Sequence, residues 1–427
     1  MGKLTIILLA SILFLVFPVY ASGLDQENLI GYPKLSSLPE EAKNNSAVIS
    51  DYRSNEVAVK AVEKNLTLFT ERIKEKFSLW LSRSGRYMGL MKDILKGENV
   101  PEEIVFIPLI ESGFSPYACS TASAVGYWQF IASTAKRYGL KINWWMDERR
   151  DPVKSTFAAA NYFKDLYEMF GSWNLAMAAY NAGEGKILKA INKTNSDDYW
   201  SLLDTKYIKG ETKDYVPKFI AASLIANSPE EFGFDELEYH PPLNYDEVTI
   251  DSPVDLQVVA DCAETRVEVI KELNPELRRW CTPPDLPEYT LRIPEGKKDV
   301  FLTNLSHIPE RERFSIDTYT VGKKDTFKKI SRKTGIPVQV ILDLNSMEKI
   351  IPLKDGMEIY LPPTGKFVPD RDDRAAIKKT SSKDKKSFKT SFAKRRSSRA
   401  KDINAKGLKK VSLKAKKKGL TSQYKKT

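Results

Sequence analysis

The stretch Ile107-Pro108-Leu109-Ile110-Glu111-Ser112-Gly113-Phe114-Ser115-Pro116 sets one carboxylate at the end of an apolar run. Phe106, Ile107, Leu109, Ile110 and Phe114 surround Glu111, and no other acid stands between Glu103 and Asp147. A carboxylate among apolar side chains is costly to ionise, so its pKa is expected to rise. A carboxylic acid that keeps its proton near neutral pH can act as a general acid. Taken alone, the same residues also describe the exposed end of a helix capped by Ser112-Gly113, so the case for chemistry depends on the rest of the chain.

The other chemistry-bearing residues exclude several classes. The two histidines, His240 and His307, lie far from any paired acid or cysteine. Neither a metal site nor a Ser-His-Asp hydrolase is expected from them. There is no phosphate loop and no G-x-G-x-x-G, and no cofactor is expected. Of the three cysteines, Cys262 and Cys281 stand 19 residues apart. In an oxidising compartment they are expected to pair, leaving Cys119 as the free thiol.

Several helices must position Glu111. Pro101-Glu102-Glu103 reads as a helix start, with proline in the first turn and acids at the positive end of the dipole. That helix carries Glu111 near its far end. Residues 116–126 are small and polar and read as a loop, and Phe130 to Tyr138 is a short helix stopped at Gly139. Asp151-Pro152 caps a helix running to Phe170, with Val153, Phe157, Ala160, Phe163 or Leu166, and Phe170 on its inner face. Trp173 to Tyr180, Lys186 to Ile191 and Asp214 to Ala226 are further short helices. An earlier helix spans Val57 to Leu81. The block 75–236 is expected to be one all-α domain of about seven helices.

A chain of 427 residues is too long for one core. Its formal charge of +11 is a poor average. Between Ala375 and Thr427 there are 20 Lys or Arg and 2 acids, so the tail carries +18 and the remainder −7. Residues 364–427 hold almost no core-forming side chains and are expected to be disordered. Such a run can reach an anionic wall or membrane surface by electrostatics, and no specific nucleic acid is expected. At the other end, Met1-Gly2-Lys3 and the apolar run Leu4 to Val19 read as a secretory signal over 1–21, with cleavage after Ala21. No cysteine follows the run to take a lipid anchor. Export to the periplasm or cell envelope is expected. Residues 22–74 read as a linker and a leading helix.

Beyond Pro241-Pro242 the texture changes to short strands and short helices. Shifted by 71 positions, Val248-Thr249-Ile250 falls on Tyr319-Thr320-Val321, Leu256 on Phe327, Val267 on Val338, and Leu273-Asn274 on Leu344-Asn345. Two units, 244–296 and 318–363, each read strand, helix, helix, strand.

Four ordered motifs in the helical block resemble the catalytic domain of the soluble-type lytic transglycosylases, relatives of goose-type lysozyme. They are Glu111-Ser112-Gly113-Phe114, Gly126-Tyr127-Trp128-Gln129-Phe130, Ala179-Tyr180-Asn181-Ala182-Gly183 and Glu211-Thr212-Lys213-Asp214-Tyr215-Val216-Pro217-Lys218. The unit opening Tyr319-Thr320-Val321-Gly322 resembles a LysM domain, a binder of N-acetylglucosamine-containing glycans. The unit 244–296 resembles a degenerate LysM that serves as a spacer. The order of parts resembles that of the D-type membrane-bound lytic murein transglycosylases.

The resemblance implies a mainly α protein: a lysozyme-like all-α domain, small βααβ LysM units and a disordered basic tail. It implies cleavage of the β-1,4 bond from N-acetylmuramic acid to N-acetylglucosamine in peptidoglycan, leaving a 1,6-anhydro end. Glu111 would be acid and then base. Ser112, Gln129, Tyr180, Asn181 and Tyr215 would bind substrate. Tyr127, Trp128, Trp144, Trp145 and Trp173 are candidate sugar platforms, although such rings mostly fill cores. Two other readings stay open: a hydrolytic muramidase on the same fold, with Asp147, Asp151 or Glu211 folding close as a second acid, and a catalytically silent wall-binding protein.

Overall fold

The computed structural model describes residues 52–345 and 347–367. Residues 1–21, expected to be a secretory signal, and most of the basic tail lie outside the described residues. No described helix is long and apolar enough to cross a membrane.

The helical block starts with α1 (Glu56–Thr67), capped by Asn55, whose side chain accepts from the amides of Val57 and Ala58. A π turn, Leu68–Arg72, and Ile73, which leaves the helical region, separate it from α2 (Lys74–Ser84). One expected helix is therefore two. Tyr52, Val62, Leu66 and Phe69 are buried in the same core as the rest of the block. The described part of the segment expected to precede the domain, residues 52–74, thus contributes to its interior.

Next come α3 (Met88–Gly97), a 3-10 turn at Glu102–Val105, and α4 (Phe106–Ser112), which ends on Glu111-Ser112. A long loop holding the short α5 (Ala132–Arg137) leads to α6 (Pro152–Phe170). The side chain of Asp151 caps α6 and Gly171 ends it. Its inner face departs from expectation. Phe157 is exposed, while Ala158, Ala159 and Ala160 are buried and let α7 (Trp173–Ala182) pack close. Then follow α8 (Glu184–Thr194), α9 (Tyr199–Leu203) and α10 (Gly210–Asn227).

Helix α10 is the axis of the block. It packs against α1, α4 and α7 and buries most of its residues from Thr212 to Ile225, as a helix apolar on nearly all sides must. Pro217 lies inside it and has no N–H for the carbonyl of Lys213. The hydroxyl of Tyr199 stands 2.9 Å from that carbonyl and 3.1 Å from the carbonyl of Thr212, and donates to this pair. The helix thus crosses its own proline without a buried orphan carbonyl.

Two small units follow. The first pairs β1 (Tyr245–Ile250) antiparallel with β2 (Tyr289–Pro294), around α11 (Leu256–Cys262) and α12 (Val267–Leu273). An added helix, α13 (Lys298–His307), buries Phe301 and Leu305 in the same core, so the unit continues past residue 296. The second pairs β3 (Asp317–Thr320) with β4 (Glu358–Leu361), around α14 (Phe327–Thr334) and α15 (Val338–Leu344).

The repeated Leu-Asn doublet has a physical reason. Asn274 donates to the carbonyls of Ile270 and Arg292 and accepts from the amide of Arg292. Asn345 does the same with Ile341 and Tyr360. In both units one amide side chain ties the end of the second helix to the last strand.

The expected disulfide is absent. Cys262 and Cys281 are both buried free thiols, and Cys119 is an exposed one. Cys262 ends α11 inside the core of the first unit. Cys281 pairs across a β-bridge with Asp255 and packs with Trp145 and Trp280 in a separate cluster. Closeness in sequence did not place the two thiols in one cluster.

Candidate active site

Glu111 sits in the last turn of α4, and Gly113 ends that helix in the left-handed region at φ +57°. The amide of Gly113 donates to Leu109 and that of Phe114 to Pro108, closing the helix end. A β-carbon on Gly113 would stand 2.2 Å from the ring of Trp80. Arg83 adds a bond to the Gly113 carbonyl at 2.8 Å. Helix α2 therefore holds the turn that aims Glu111, a role sequence reasoning did not assign to Trp80 or Arg83.

Tyr215 on α10 donates its hydroxyl to Glu111 Oε1 at 2.7 Å. Burial pushes the Glu111 carboxyl up from 4.5 to about 7, against the downward pull of the Tyr215 bond and of Lys218 and with a small upward push from Glu211. Burial and the nearby Glu111 charge also raise Tyr215 and Tyr180, so both phenols stay protonated donors.

The other expected site residues form a linked set. Ser112 Oγ lies 2.9 Å from the Tyr127 carbonyl and 3.0 Å from that of Pro108, so its proton ties α4 to the 126–130 turn. Gln129 has φ +48° and donates its amide to the carbonyls of Gly126 and Ala118. The Tyr180 hydroxyl donates to the Trp128 carbonyl at 2.6 Å, and its ring stacks on Phe163 with centroids 4.6 Å apart. It is Tyr215, not Tyr180, that touches the carboxylate. Asn181 accepts from Thr212 on α10 at 3.0 Å; Thr212 lies in the fourth motif, but sequence reasoning gave it no role of its own.

Glu111, Ser112, Gln129, Tyr180 and Asn181 are each half-buried, on a scaffold of buried neighbours. Three of the expected sugar platforms are not available. Tyr127 and Trp128 are fully buried, and the Trp128 ring N–H donates to Thr156 of α6. Trp145 is buried as well, against Trp280. Trp144 and Trp173 are only half-buried; Trp144 lies on Arg279, and Trp173 stacks on Tyr167.

Comparison with known proteins decides the class of the helical block. Residues 90–203 match the model of the Transglycosylase SLT domain. The helical block carries a transglycosylase SLT domain. Residues 244–310 match the LysM-like domain of lytic transglycosylase MltD, and residues 319–362 match the LysM domain.

Among curated relatives, membrane-bound lytic murein transglycosylase D of Escherichia coli strain K12 is 34% identical over 281 residues, covering 62% of this chain and 61% of that protein. The chain therefore spans about three fifths of that relative's length. A putative tributyltin chloride resistance protein of an Alteromonas strain is 39% identical over 119 residues, covering 27% of this chain and 58% of that protein. Among solved structures, the 70-kDa soluble lytic transglycosylase of Escherichia coli matches with a TM-score of 0.32 and 21% identity, over 43% of this chain and 32% of that one.

The three acids that could have joined Glu111 are accounted for. Arg149 holds Asp147 through Nε and Nη2 at 2.9 and 2.7 Å. Arg292 holds Asp151 at 2.9 Å. Glu211 is exposed and acts on Glu111 only as the weakest of its influences.

The Glu111–Tyr215 pair predicts a pH response. The Tyr215 bond favours the carboxylate, so Tyr215→Phe raises the Glu111 pKa further. A hydrogen bond to a charged group is worth about 1.5–3 kcal/mol, or roughly one to two pH units. The alkaline limb of the kcat profile is expected to move up by about that much, while kcat falls because the carboxyl loses its orienting partner. A limb that stays in place, or moves down, rejects this role for Tyr215.

Proposed function

We propose that the chain is a peptidoglycan lytic transglycosylase that cuts the N-acetylmuramic acid to N-acetylglucosamine β-1,4 bond with Glu111 as its only catalytic carboxyl. The observation that carries the reading is the half-buried Glu111, held by Tyr215 and raised to about 7, in the motif of an SLT domain. Near neutral pH a share of Glu111 is protonated and a share ionised, as a residue that gives and then takes a proton requires.

The protonated carboxyl gives its proton to the glycosidic oxygen as the bond to the muramyl C1 breaks. The carboxylate left behind removes the proton of the C6 hydroxyl of the same muramyl residue. That oxygen closes on C1, giving the 1,6-anhydro ring and returning the proton to Glu111. No water enters. Glycosidases with two carboxyls place the second about 5 to 9.5 Å away. Here the nearby acids are engaged by arginines or exposed, which favours the one-carboxyl course over the muramidase reading.

Ser112 and Gln129 spend their donors on the scaffold, so they shape the site and leave their acceptor oxygens for substrate. Tyr180 is fixed by the Trp128 carbonyl and Asn181 by Thr212 of α10. The LysM domain at 319–362 supplies glycan affinity, and the cell envelope is the compartment in which such a substrate is met.

The test is digestion of purified sacculi in water enriched in heavy oxygen. Muropeptides are expected to end in unlabelled 1,6-anhydro-muramic acid, one water lighter than hydrolysed ends. Labelled reducing ends as the main product would make the protein a hydrolase. No release at all by a folded protein would favour a silent wall binder.

A further inference from the structure

We infer that the unit matched over residues 244–310 is a working part of the catalytic domain, holding the loop 143–151 in place, and that Arg292 in it is a positioning residue for the Glu111 site. The inference rests on the transglycosylase reading, though one of its tests does not.

The loop pairs with the unit through its main chain. The Asp147 amide donates to the Glu276 carbonyl and the Arg278 amide to the Trp145 carbonyl, both at 2.9 Å, framing a bridge between Met146 and Leu277. Met146, a residue of the SLT match, is fully buried, and its side chain belongs to the core of the unit with Val248, Ile270 and Leu291. Side chains extend the seam. Arg278 and Arg279 donate to the carbonyls of Asn143 and Trp144, and Asn143 donates to Asp285.

Beneath this seam lies a buried ionic group. Arg292 on β2 donates to both oxygens of Asp151, at 3.2 and 2.9 Å, and stands 3.9 Å from Glu276. Tyr289 donates to Glu276 at 2.6 Å. All four side chains are nearly or fully buried. A buried charge left alone is costly, so Asp151 depends on a partner the other unit provides.

The loop then leads to the site. Arg149, clasped by Asp147, donates to the carbonyls of Ser123 and Phe130 at 3.1 and 3.0 Å, gripping both ends of the turn that presents Gln129. Asp151 caps α6, whose Thr156 takes the Trp128 ring N–H and whose Phe163 carries the Tyr180 ring. Without the unit, Met146 would lose its core, two main-chain bonds would open and Asp151 would lose its arginine partner.

The test uses the full chain and the variants Arg292→Met and Arg292→Lys. Hydrogen exchange of amides 118–130 needs no assumption about activity. Arg292→Met is expected to speed exchange there at least tenfold, with amides of α1 unchanged. On short soluble glycan strands its kcat is expected to fall about tenfold or more with KM within twofold, and Arg292→Lys to recover part of the loss. A folded Arg292→Met with wild-type exchange in 118–130 and wild-type kcat overturns the proposal. Should Arg292→Met fail to fold, Asn143→Ala combined with Arg278→Ala trims the seam from its edge. Faster exchange at 118–130 and a lower kcat are then expected, and no change in either overturns the inference. A wild type that cuts no glycan bond would sink the functional reading alone, since the exchange result stands apart from it.

Discussion

Glu111→Gln is expected to abolish turnover while the protein keeps its fold and its hold on insoluble peptidoglycan. The amide has the size and reach of the acid and can still accept from Tyr215, but it cannot pass a proton. General acid–base catalysis contributes about 10²- to 10⁴-fold, and one group here serves both half-steps, so the loss should reach at least the upper end. The same substitution should stabilise the protein in alkali. With its carboxyl raised from 4.5 to about 7, the folded chain holds the Glu111 proton more tightly than the unfolded one. Stability associated with that proton is complete below pH 4.5 and is lost as pH rises through 7, a loss of roughly 3 kcal/mol at full effect. Glutamine carries no such loss. Thermal scans of variant and wild type should therefore diverge from pH 5 to pH 8, with the variant ahead at pH 8. Undiminished muropeptide release by the variant would remove Glu111 from the mechanism. Parallel stability curves would mean that the carboxyl is not raised.

How much of this was legible beforehand differs from residue to residue. Glu111 could be read as a raised acid because its apolar neighbours adjoin it in sequence. Its partner Tyr215 stands 104 positions away, and only the motif resemblance put the two together. The helix from Asp151 to Phe170 was readable from its cap and its terminal glycine, which are local signals. Its inner face was misjudged at Phe157, since the close approach of α7 selects the alanines instead. The repeat showed itself through the Leu-Asn doublet, although the tie that asparagine makes to the last strand needs coordinates to see. Tyr127 and Trp128 were named as candidate platforms, but the turn folds inward and both rings fill the core. The cysteine pairing failed for a related reason. Nineteen residues of chain bring two thiols near only if the intervening helix and bridge point them at one another, and here they point into different clusters. The seam between Met146 and Leu277 left no pattern, because each contact in it draws on one residue from segments about 130 positions apart.

Gly126→Ala is expected to be the most damaging single methyl group in the domain. Gly126 lies at φ +85°, where a β-carbon costs about 1–2 kcal/mol even in open space. The space is not open: that carbon would fall 1.9 Å from the carbonyl oxygen of Arg149 and 2.6 Å from its carbon. The obstacle is main chain, so no rotamer change clears it. The obstacle is also held in place. The Arg149 side chain is bound to Asp147 and to the carbonyls of Ser123 and Phe130, and its neighbours in sequence are tied to the unit at 244–310. Either the 126–130 turn or the 147–151 segment must shift, and each shift opens buried hydrogen bonds. Effects of this kind belong to the severe end of point substitutions, at about 4 kcal/mol or more. For a domain of this size that is roughly 10 °C in Tm. Activity should fall with it, because the Trp128 carbonyl that receives Tyr180 and the Gln129 amide ride on the same turn. Gly139→Ala is the control, since that glycine also has positive φ, at +87°, but meets nothing within 4 Å. It should lose only the conformational part, about 1–2 kcal/mol. Equal melting temperatures for the two variants would show that the Arg149 carbonyl yields, and that the turn is not held as tightly as its hydrogen bonds imply.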